Sequence, residues 1–297
     1  MKIGIVANCQ VQPLTKLLSA LNGVETVVAV PTHLFGTKQF EKSEETFKDL
    51  IQDPDAIVLS YAHELRFNDY ATQTLKQRIP QCHTLTNIHF SGLHPDITYV
   101  GDQGGRIQSP LGDYHSKIIL HSFLAGYSQA DCLRRFSGDE YERLGYYHEF
   151  EKSATELRGR DSQLDIQFAE HFIALLKESP CLYTLNHPTP IVFQEYVLVI
   201  AQYLGLKAWR QPTAVLPNYL AHSTWWPIYD EVAQAHGLNY RMPMVFKQPD
   251  AMGGKFMELG QLVCSSYQMY EKARNRLSNS RQATALLTQP SKQLGTP

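Results

Sequence analysis

The chain has 297 residues, with 27 Lys and Arg against 29 Asp and Glu, which gives a formal net charge of −2. This balance argues against general nucleic-acid binding, because no excess of cations is present to neutralise a phosphate backbone. Hydrophobic residues make up 43% and charged residues 19%, as in folded globular proteins rather than disordered ones. The apolar runs, such as Tyr196–Ala201, are shorter than the roughly 20 residues of a membrane-spanning helix. We expect a cytoplasmic protein with no integral membrane segment, since the apolar N-terminal stretch is too short for a signal peptide.

The five cysteines are an odd number and include no C-x-x-C pair: Cys9, Cys82, Cys132, Cys181 and Cys264. This usage argues against a disulfide framework and against a zinc cluster. The histidines form no H-E-x-x-H motif either, so we expect no metal site.

Strand and helix patterns alternate along the first 90 residues. The predicted strands are Lys2–Ala7, Glu25–Val30, Ala56–Ser60 and His83–Ile88. The predicted helices are the leucine-rich segment around Leu14–Leu21, Ser43–Gln52 and Asn68–Ile79. Strands separated by single helices indicate an α/β fold with an open, mostly parallel sheet and helices on both faces.

The rest of the chain reads as mainly helical, including Asp139–Lys152 and Lys255–Leu277. We predict a single α/β domain over residues 1–277, with the sheet core in 1–115 and 181–205 and a helical insertion in 116–180. Residues 206–277 form a helical or irregular part, and residues 278–297 are predicted to be a disordered tail. The strand Cys181–Leu185 and the helix Pro190–Leu204 are expected to rejoin the sheet.

Polar residues follow several predicted strands, and the carboxyl ends of parallel strands meet at one edge of a sheet. The sets are Asn8-Cys9-Gln10, Ser60-Tyr61-Ala62-His63, Asn87-Ile88-His89 and Asn186-His187-Pro188. Together they predict a site at this edge.

Cys9 lies between a strand and the start of a helix. There the helix dipole and free amides would lower the thiol pKa, which suits a nucleophile. The alternative is that Cys9 is a small buried hydrophobic residue, as free cysteines usually are.

Two histidines precede prolines and are candidate general bases. Asp96 follows His94 by two residues and could orient its imidazole, while His187 has the same His-Pro restraint. On this interpretation His94→Ala lowers turnover by about 10² to 10⁴-fold and His187→Ala is the control. Each histidine could equally stabilise a turn by bonding a backbone carbonyl, and His63 and His115 are weaker candidates.

The segment Gly101–Arg106 could form an anion-binding nest with a cation, although such a stretch is more often a plain turn.

The ordered set of motifs resembles the WcbI-type polysaccharide biosynthesis proteins. The motifs are Asn8-Cys9-Gln10, Phe90-Ser91-Gly92-Leu93-His94-Pro95-Asp96 with Tyr99, Tyr114-His115-Ser116 and Asn186-His187-Pro188. Ala7 departs from the glycine expected before the first motif, and no motif can be placed after residue 205, which leaves the acceptor open.

This resemblance implies a coenzyme A-binding acetyltransferase acting on capsular or exopolysaccharide sugars. The implied catalytic residues are Cys9, His94, Asp96 and His187, and the implied cofactor-binding residues are Asn8, Gln10, Arg106, Tyr114, His115, Ser116 and Asn186. We expect an acetyl group to move from acetyl-coenzyme A to a sugar hydroxyl, either through Cys9 or by direct attack aided by a histidine.

Two other functions stay open at this stage. One is a cysteine-dependent ester hydrolase on a related scaffold. The other is a non-catalytic glycan-binding module that uses Trp209, Trp225 and Trp226. A homodimer is an open alternative to a monomer.

Overall fold

The structure, a computed structural model, describes residues 1–62, 69–207 and 218–288. The strands are β1 Lys2–Ala7, β2 Thr26–Pro31, β3 Ile57–Tyr61, β4 Cys82–Leu85, β5 Ile97–Tyr99, β6 Gly101–Asp102, β7 Gly105–Arg106, β8 Tyr114–Ser116, β9 Leu182–Thr184, β10 His187–Pro188, β11 Val245–Lys247 and β12 Phe256–Glu258. The helices are α1 Val11–Ser19, α2 Lys38–Leu50, α3 Thr72–Arg78, α4 Lys117–Leu124, α5 Gln129–Arg134, α6 Gly138–Arg143, α7 Glu149–Asp161, α8 Ala169–Glu178, α9 Pro190–Tyr203, α10 Asp230–Ala235, α11 Leu259–Lys272, α12 Arg274–Ser278 and α13 Arg281–Thr288. The candidate residues His63, Asn68 and Trp209 lie outside the described residues.

The chain divides into two compact units, whereas the sequence predicts one domain over residues 1–277. The first, which we call the sheet unit, contains Met1–His89, Thr155–Leu176 and His187–Leu220. The second, which we call the helical unit, contains Phe90–Ala154, Lys177–Asn186 and the chain from Ala221 onward.

The sheet unit is built on a four-stranded sheet in the order β2-β1-β3-β4. All three neighbouring pairs are parallel, with Ala7 opposite Pro31 and Val6 opposite Ser60. Every residue of β1 except Lys2 is buried, as is typical of a parallel strand covered on both faces. The predicted fold class, an α/β fold with an N-terminal parallel sheet, is confirmed.

The strand order places a topological switch point between β1 and β3. From β1 the chain crosses to β2 on one side, and from β2 it crosses back to β3 on the other. Crossovers in opposite directions leave a crevice outside the carboxyl ends of the two central strands, which is where open α/β sheets bind ligands. The segment Asn8–Gln10 follows β1 at this crevice.

One face of the sheet is covered by α2. Val6, Val30 and Val58 pack there with Phe47 in one buried cluster. A Cβ on Gly4 would lie 2.7 Å from the ring of Phe47, so only glycine allows this helix to approach β1 so closely. The helix begins at Lys38, five residues earlier than predicted, because the Thr37 side chain caps it by accepting a hydrogen bond from the N–H of Phe40.

The predicted helical insertion 116–180 is shared between the units. Ile166 forms a parallel bridge with Leu85 of β4, and its N–H donates to the carbonyl of Thr84 at 3.0 Å. Ile166 therefore adds a single bridge at the β4 edge of the four-stranded sheet. The strand predicted over Cys181–Leu185 does not rejoin the four-stranded sheet, and β9 belongs to the helical unit.

The helical unit contains short antiparallel pairs, β5 with β8, β6 with β7 and β11 with β12. The helix predicted over Asp139–Lys152 is broken into α6 and α7, because Gly145 adopts a left-handed conformation with φ of 74°. The disordered tail predicted over 278–297 is wrong for Arg281–Thr288, which is helical with Ala283 fully buried, and residues 289–297 lie outside the described residues. Among the described residues, the helices are too short or too polar to cross a membrane.

Candidate functional site

The Asn8-Cys9-Gln10 segment is a tight turn between β1 and α1. The Asn8 side-chain oxygen accepts from the N–H of Gln10 at 3.0 Å, and the Asn8 carbonyl accepts from the N–H of Val11 at 3.0 Å. The Asn8 amide nitrogen donates to the side-chain oxygen of Asn87, after β4, at 3.2 Å. These bonds fix the turn at the carboxyl edge of the sheet.

Gln10 is fully buried and ties the turn to two other strand ends. Its amide nitrogen donates to the carbonyl of Ile88 at 2.8 Å, and its amide oxygen accepts from the hydroxyl of Tyr61 at 2.6 Å. A buried amide with its side-chain donor and acceptor both engaged holds its neighbours rigidly. Gln10 therefore positions Cys9.

Cys9 is half-buried, and burial raises the pKa of its thiol to about 11, although its own backbone N–H acts in the opposite direction. The lowered pKa predicted from the helix start is therefore wrong. Loss of water around the sulfur disfavours the thiolate by more than the N–H stabilises it. The thiol is protonated at neutral pH.

His33 lies at the same edge, two residues after β2. The parallel register pairs Ala7 with Pro31, so that the residues directly following β1 and β2 extend side by side. The imidazole is exposed and interacts with the backbone of Asn8, and partial burial lowers its pKa. His33 is thus a titratable group beside the Cys9 turn.

Arg160 of α7 contributes a cation to this edge. Its guanidinium donates to the carbonyl of Asn87 at 3.4 Å and to the carbonyl of His89 at 2.9 Å. Burial and the charge of Arg160 together lower the pKa of the exposed His89 side chain. The segment after β4 is thereby fixed beside the turn.

His187 belongs to the sheet unit and is half-buried. The residue that follows it, Pro188, lines a small crevice with Pro13 of α1. The structure therefore places the second candidate base in the same unit as Cys9.

His94 lies in the helical unit and is only 1% exposed. Its Nε2 lies 3.0 Å from the carbonyl oxygen of Trp226, so Nε2 carries the hydrogen and donates it. Burial lowers the pKa of His94 to about 4. The imidazole is neutral and enclosed, and it lacks the access to substrate that a general base needs.

Asp96 is fully buried and does not orient His94. Its carboxylate accepts hydrogen bonds from the N–H of Ile118 at 3.1 Å and from the hydroxyls of Tyr146 and Tyr229 at 2.6 and 2.7 Å. The predicted pairing of His94 with Asp96 is therefore wrong. Asp96 instead organises a buried tyrosine cluster.

Two of the predicted cofactor-binding residues have structural roles. His115 is 1% exposed, and its ring nitrogens bond the hydroxyl of Tyr270 and the carbonyl of Ile107, both at 2.9 Å. Burial lowers the pKa of His115 to about 4. Ser116 caps α4 by accepting from the N–H of Ile119 at 3.1 Å. Both ring nitrogens of His115 are engaged, and Ser116 acts as a helix cap.

Three other predicted residues form a connected row within the helical unit. The Arg106 guanidinium lies 4.5 Å from the ring centre of Tyr99, whose ring packs against Tyr114 at 5.3 Å. The Tyr114 hydroxyl donates to the side-chain oxygen of Asn186 at 3.0 Å. This arrangement brings together Arg106, Tyr114 and Asn186.

The model of the family described as polysaccharide biosynthesis enzyme WcbI matches residues 2–208. The chain belongs to the WcbI family. The predicted resemblance is confirmed, and this WcbI family member is therefore a polysaccharide biosynthesis enzyme.

Among solved structures, the chain is similar to WcbI, described as a novel polysaccharide biosynthesis enzyme in its native form without the disulfide bond between coenzyme A and one of its cysteines. The TM-score is 0.70 at 16% sequence identity, over 96% of this chain and 97% of that one. This likeness shows a shared fold. No curated protein sequence matches the chain.

Sequence reasoning missed His33 and Arg160 at the sheet edge of this WcbI family member. The rule that located Asn8–Gln10 also points to His33, because β2 ends two residues before it. No sequence pattern pointed to Arg160. It follows β4 by more than 70 residues, and only the tertiary fold brings it back to the residues after that strand.

Proposed function

We propose that this enzyme is an acyltransferase that moves an acetyl group from acetyl-coenzyme A to a sugar hydroxyl in capsular or exopolysaccharide biosynthesis. The observation that carries the proposal is the fixed Asn8–Gln10 turn, which presents Cys9 at the switch point of the sheet. Membership of the WcbI family supports the biosynthetic role. The solved WcbI structure, described with coenzyme A and one of its cysteines, supports the cofactor.

Coenzyme A is assigned to the carboxyl edge of the sheet. The helix α1 begins directly after the turn, and the positive end of its dipole favours anionic and polarised oxygen atoms. Cys9 would then lie near the thioester of the donor. Its protonated thiol can donate a weak hydrogen bond or contact the sulfur, but it supplies little thiolate.

The protonated state of Cys9 favours direct transfer over a covalent acyl-cysteine. In direct transfer a base removes the proton of the sugar hydroxyl and the sugar oxygen attacks the thioester carbonyl. The carbon–sulfur bond then breaks, and coenzyme A leaves as a thiolate that recovers the proton. The product is an O-acetyl sugar and free coenzyme A.

We assign the base to His33 instead of His94. His33 is exposed, interacts with the backbone of Asn8 and shares the sheet unit with Cys9. His94 is enclosed and has a pKa of about 4. Of the two, only His33 meets the requirement that a base reach its substrate proton.

The test is an assay of free coenzyme A thiol released from acetyl-coenzyme A in the presence of a panel of sugars. We expect His33→Gln to lower kcat by about 10² to 10⁴-fold, with coenzyme A affinity within about threefold of the parent enzyme. His171→Gln is the matched control from the same unit, because its imidazole pairs with Glu195 at 3.0 Å, and it should leave kcat within about threefold.

Other results would contradict the proposal. If calorimetry detects no binding of coenzyme A at millimolar concentration, acetyl-coenzyme A is not the acyl donor. Cleavage of acyl esters without coenzyme A favours the ester hydrolase. Sugar binding without turnover, unaffected by Cys9→Ala, favours the glycan-binding module.

The aromatic residues cited for glycan binding give that module little support. Trp226 is 1% exposed and belongs to the core. Trp225 is half-buried and stacks on Tyr183, with ring centres 5.0 Å apart.

A further inference from the structure

A cavity of about 650 Å³ opens in the helical unit, and neither Cys9 nor His33 lines it. One wall is the β6–β7 hairpin, residues 101–106, and the other is the segment Asn279–Gln282 at the start of α13. The volume lies within the range of sites that bind small molecules and cofactors. The second wall lies outside the residues matched by the family model, which end at 208.

The charges lining this cavity are mainly positive. Arg106 and Arg281 both line it, and among the described residues neither takes part in an ion pair. The lining carboxylate, Asp102, is already neutralised by Arg276, whose guanidinium donates to it at 2.6 and 2.9 Å. The two remaining guanidinium groups therefore leave an uncompensated positive charge facing the cavity.

The hairpin wall is preorganised. Arg276 also donates to the carbonyl of Gly105 at 3.1 Å, and the N–H of Gly104 donates to Asp102 at 3.0 Å. The Arg106 guanidinium rests over the Tyr99 ring, which restricts the orientation of its donors. A fixed guanidinium loses less entropy when it binds an anion than a freely moving one does.

The opposite wall adds further donors. The helix α13 begins at Arg281, and its first N–H groups carry the positive end of the helix dipole. Arginine matches the geometry of phosphate oxygens through two parallel hydrogen bonds. Two such groups on opposite walls can hold the two phosphates of a pyrophosphate.

We propose that this cavity binds the pyrophosphate group of a phosphate-bearing ligand, with Arg106 and Arg281 holding it from opposite walls. The same chemistry occurs in coenzyme A and in nucleotide-activated sugars. The proposal does not depend on acetyl transfer, because it concerns a binding site and not a reaction.

The test is calorimetry of the full chain with inorganic pyrophosphate at low ionic strength. We expect binding that weakens by about tenfold or more in Arg281→Ala and in Arg106→Ala, since each loses a charge-assisted contact. Arg274→Ala is the matched control, because Arg274 pairs with Glu271 and does not line the cavity. It should bind pyrophosphate like the parent protein.

Titrations with coenzyme A and with UDP-glucose then identify the source of the pyrophosphate. The ligand whose affinity falls in Arg281→Ala is the one that the cavity accepts. The proposal is overturned if pyrophosphate fails to bind, or if Arg281→Ala and Arg274→Ala bind it equally. If acetyl transfer is absent while pyrophosphate binding still requires Arg281, the proposed function is lost and this site stands.

Discussion

The Asn8–Gln10 turn of the sheet unit and the His94–Asp96 segment of the helical unit have similar sequence signals and opposite surroundings. Both combine polar, titratable residues with a nearby strand or proline. In the first, Cys9 and His33 keep access to solvent while Gln10 fixes the backbone. In the second, His94 and Asp96 are enclosed, and the carboxylate accepts three hydrogen bonds.

The difference shows what makes a polar motif available for chemistry. The end of a central parallel strand leaves an open edge, because the crossovers diverge there. A short loop packed under aromatic rings encloses its polar groups, which then persist only with internal partners. The predictions below test whether the motif of the helical unit is structural and that of the sheet unit functional.

The largest effect is expected for Asp96→Ala. The change leaves the buried hydroxyls of Tyr146 and Tyr229 and the N–H of Ile118 without their acceptor, which should lower the free energy of unfolding by roughly 3 to 5 kcal/mol. Chemical denaturation measures this loss. Glu142→Ala removes an exposed carboxylate and should change stability by no more than about 0.5 kcal/mol. Equal effects of the two substitutions would show that the tyrosine cluster is not held by Asp96.

The second effect is an acid sensitivity from the buried histidines. His94 and His115 have pKa values of about 4 in the folded protein against 6.5 as the ordinary value, so the unfolded chain binds protons first as the pH falls. Each histidine therefore stabilises the fold fully above pH 6.5, and this contribution is lost between pH 6.5 and 4. The slope reaches at most about 1.4 kcal/mol per pH unit for each histidine.

The variant His115→Gln isolates this contribution, since an amide can still donate to the carbonyl of Ile107. Denaturation curves for parent and variant should converge towards pH 4, because only the parent loses stability through this group. A constant difference between the two curves across the pH range would contradict the enclosed, neutral state of His115.

The third effect is the slow alkylation of Cys9. A pKa of about 11 in place of 9.0 leaves about one hundredfold less thiolate at pH 7, so iodoacetamide should react correspondingly slowly. The rate should rise about tenfold per pH unit up to about pH 11. Mass spectrometry measures the labelled fraction, with Cys9→Ser giving the background from the other cysteines. Rapid labelling at pH 7 would show that Cys9 is a reactive thiolate and would favour transfer through a covalent acyl-cysteine.

The smallest effect is expected for Ser116→Ala. Loss of the cap of α4 should cost about 1 kcal/mol of stability, and coenzyme A affinity should be unchanged. Ser128→Ala removes the corresponding cap of α5 and serves as the control for stability. If Ser116→Ala lowers the affinity for coenzyme A and Ser128→Ala does not, Ser116 contributes to the cofactor site.

The local sequence was sufficient for the first strand and the first helix of the sheet unit. Alternating apolar strands and a leucine stripe predicted β1 and α1, and the rule that ligands bind at carboxyl strand ends located Asn8–Gln10. The ordered motifs also indicated the WcbI family, which the family model confirms. These properties follow from periodicity and chain order, which a sequence records directly.

The tertiary structure alone decided how exposed each candidate side chain is. Burial sets the pKa values of Cys9, His94 and His115, and burial depends on which distant segments pack against a residue. The partners of Asp96 come from positions 22, 50 and 133 residues away. The sequence therefore determined which chemical groups follow the strands, whereas packing determined which of them are open to a substrate, because desolvation is a property of the folded surroundings and not of the local motif.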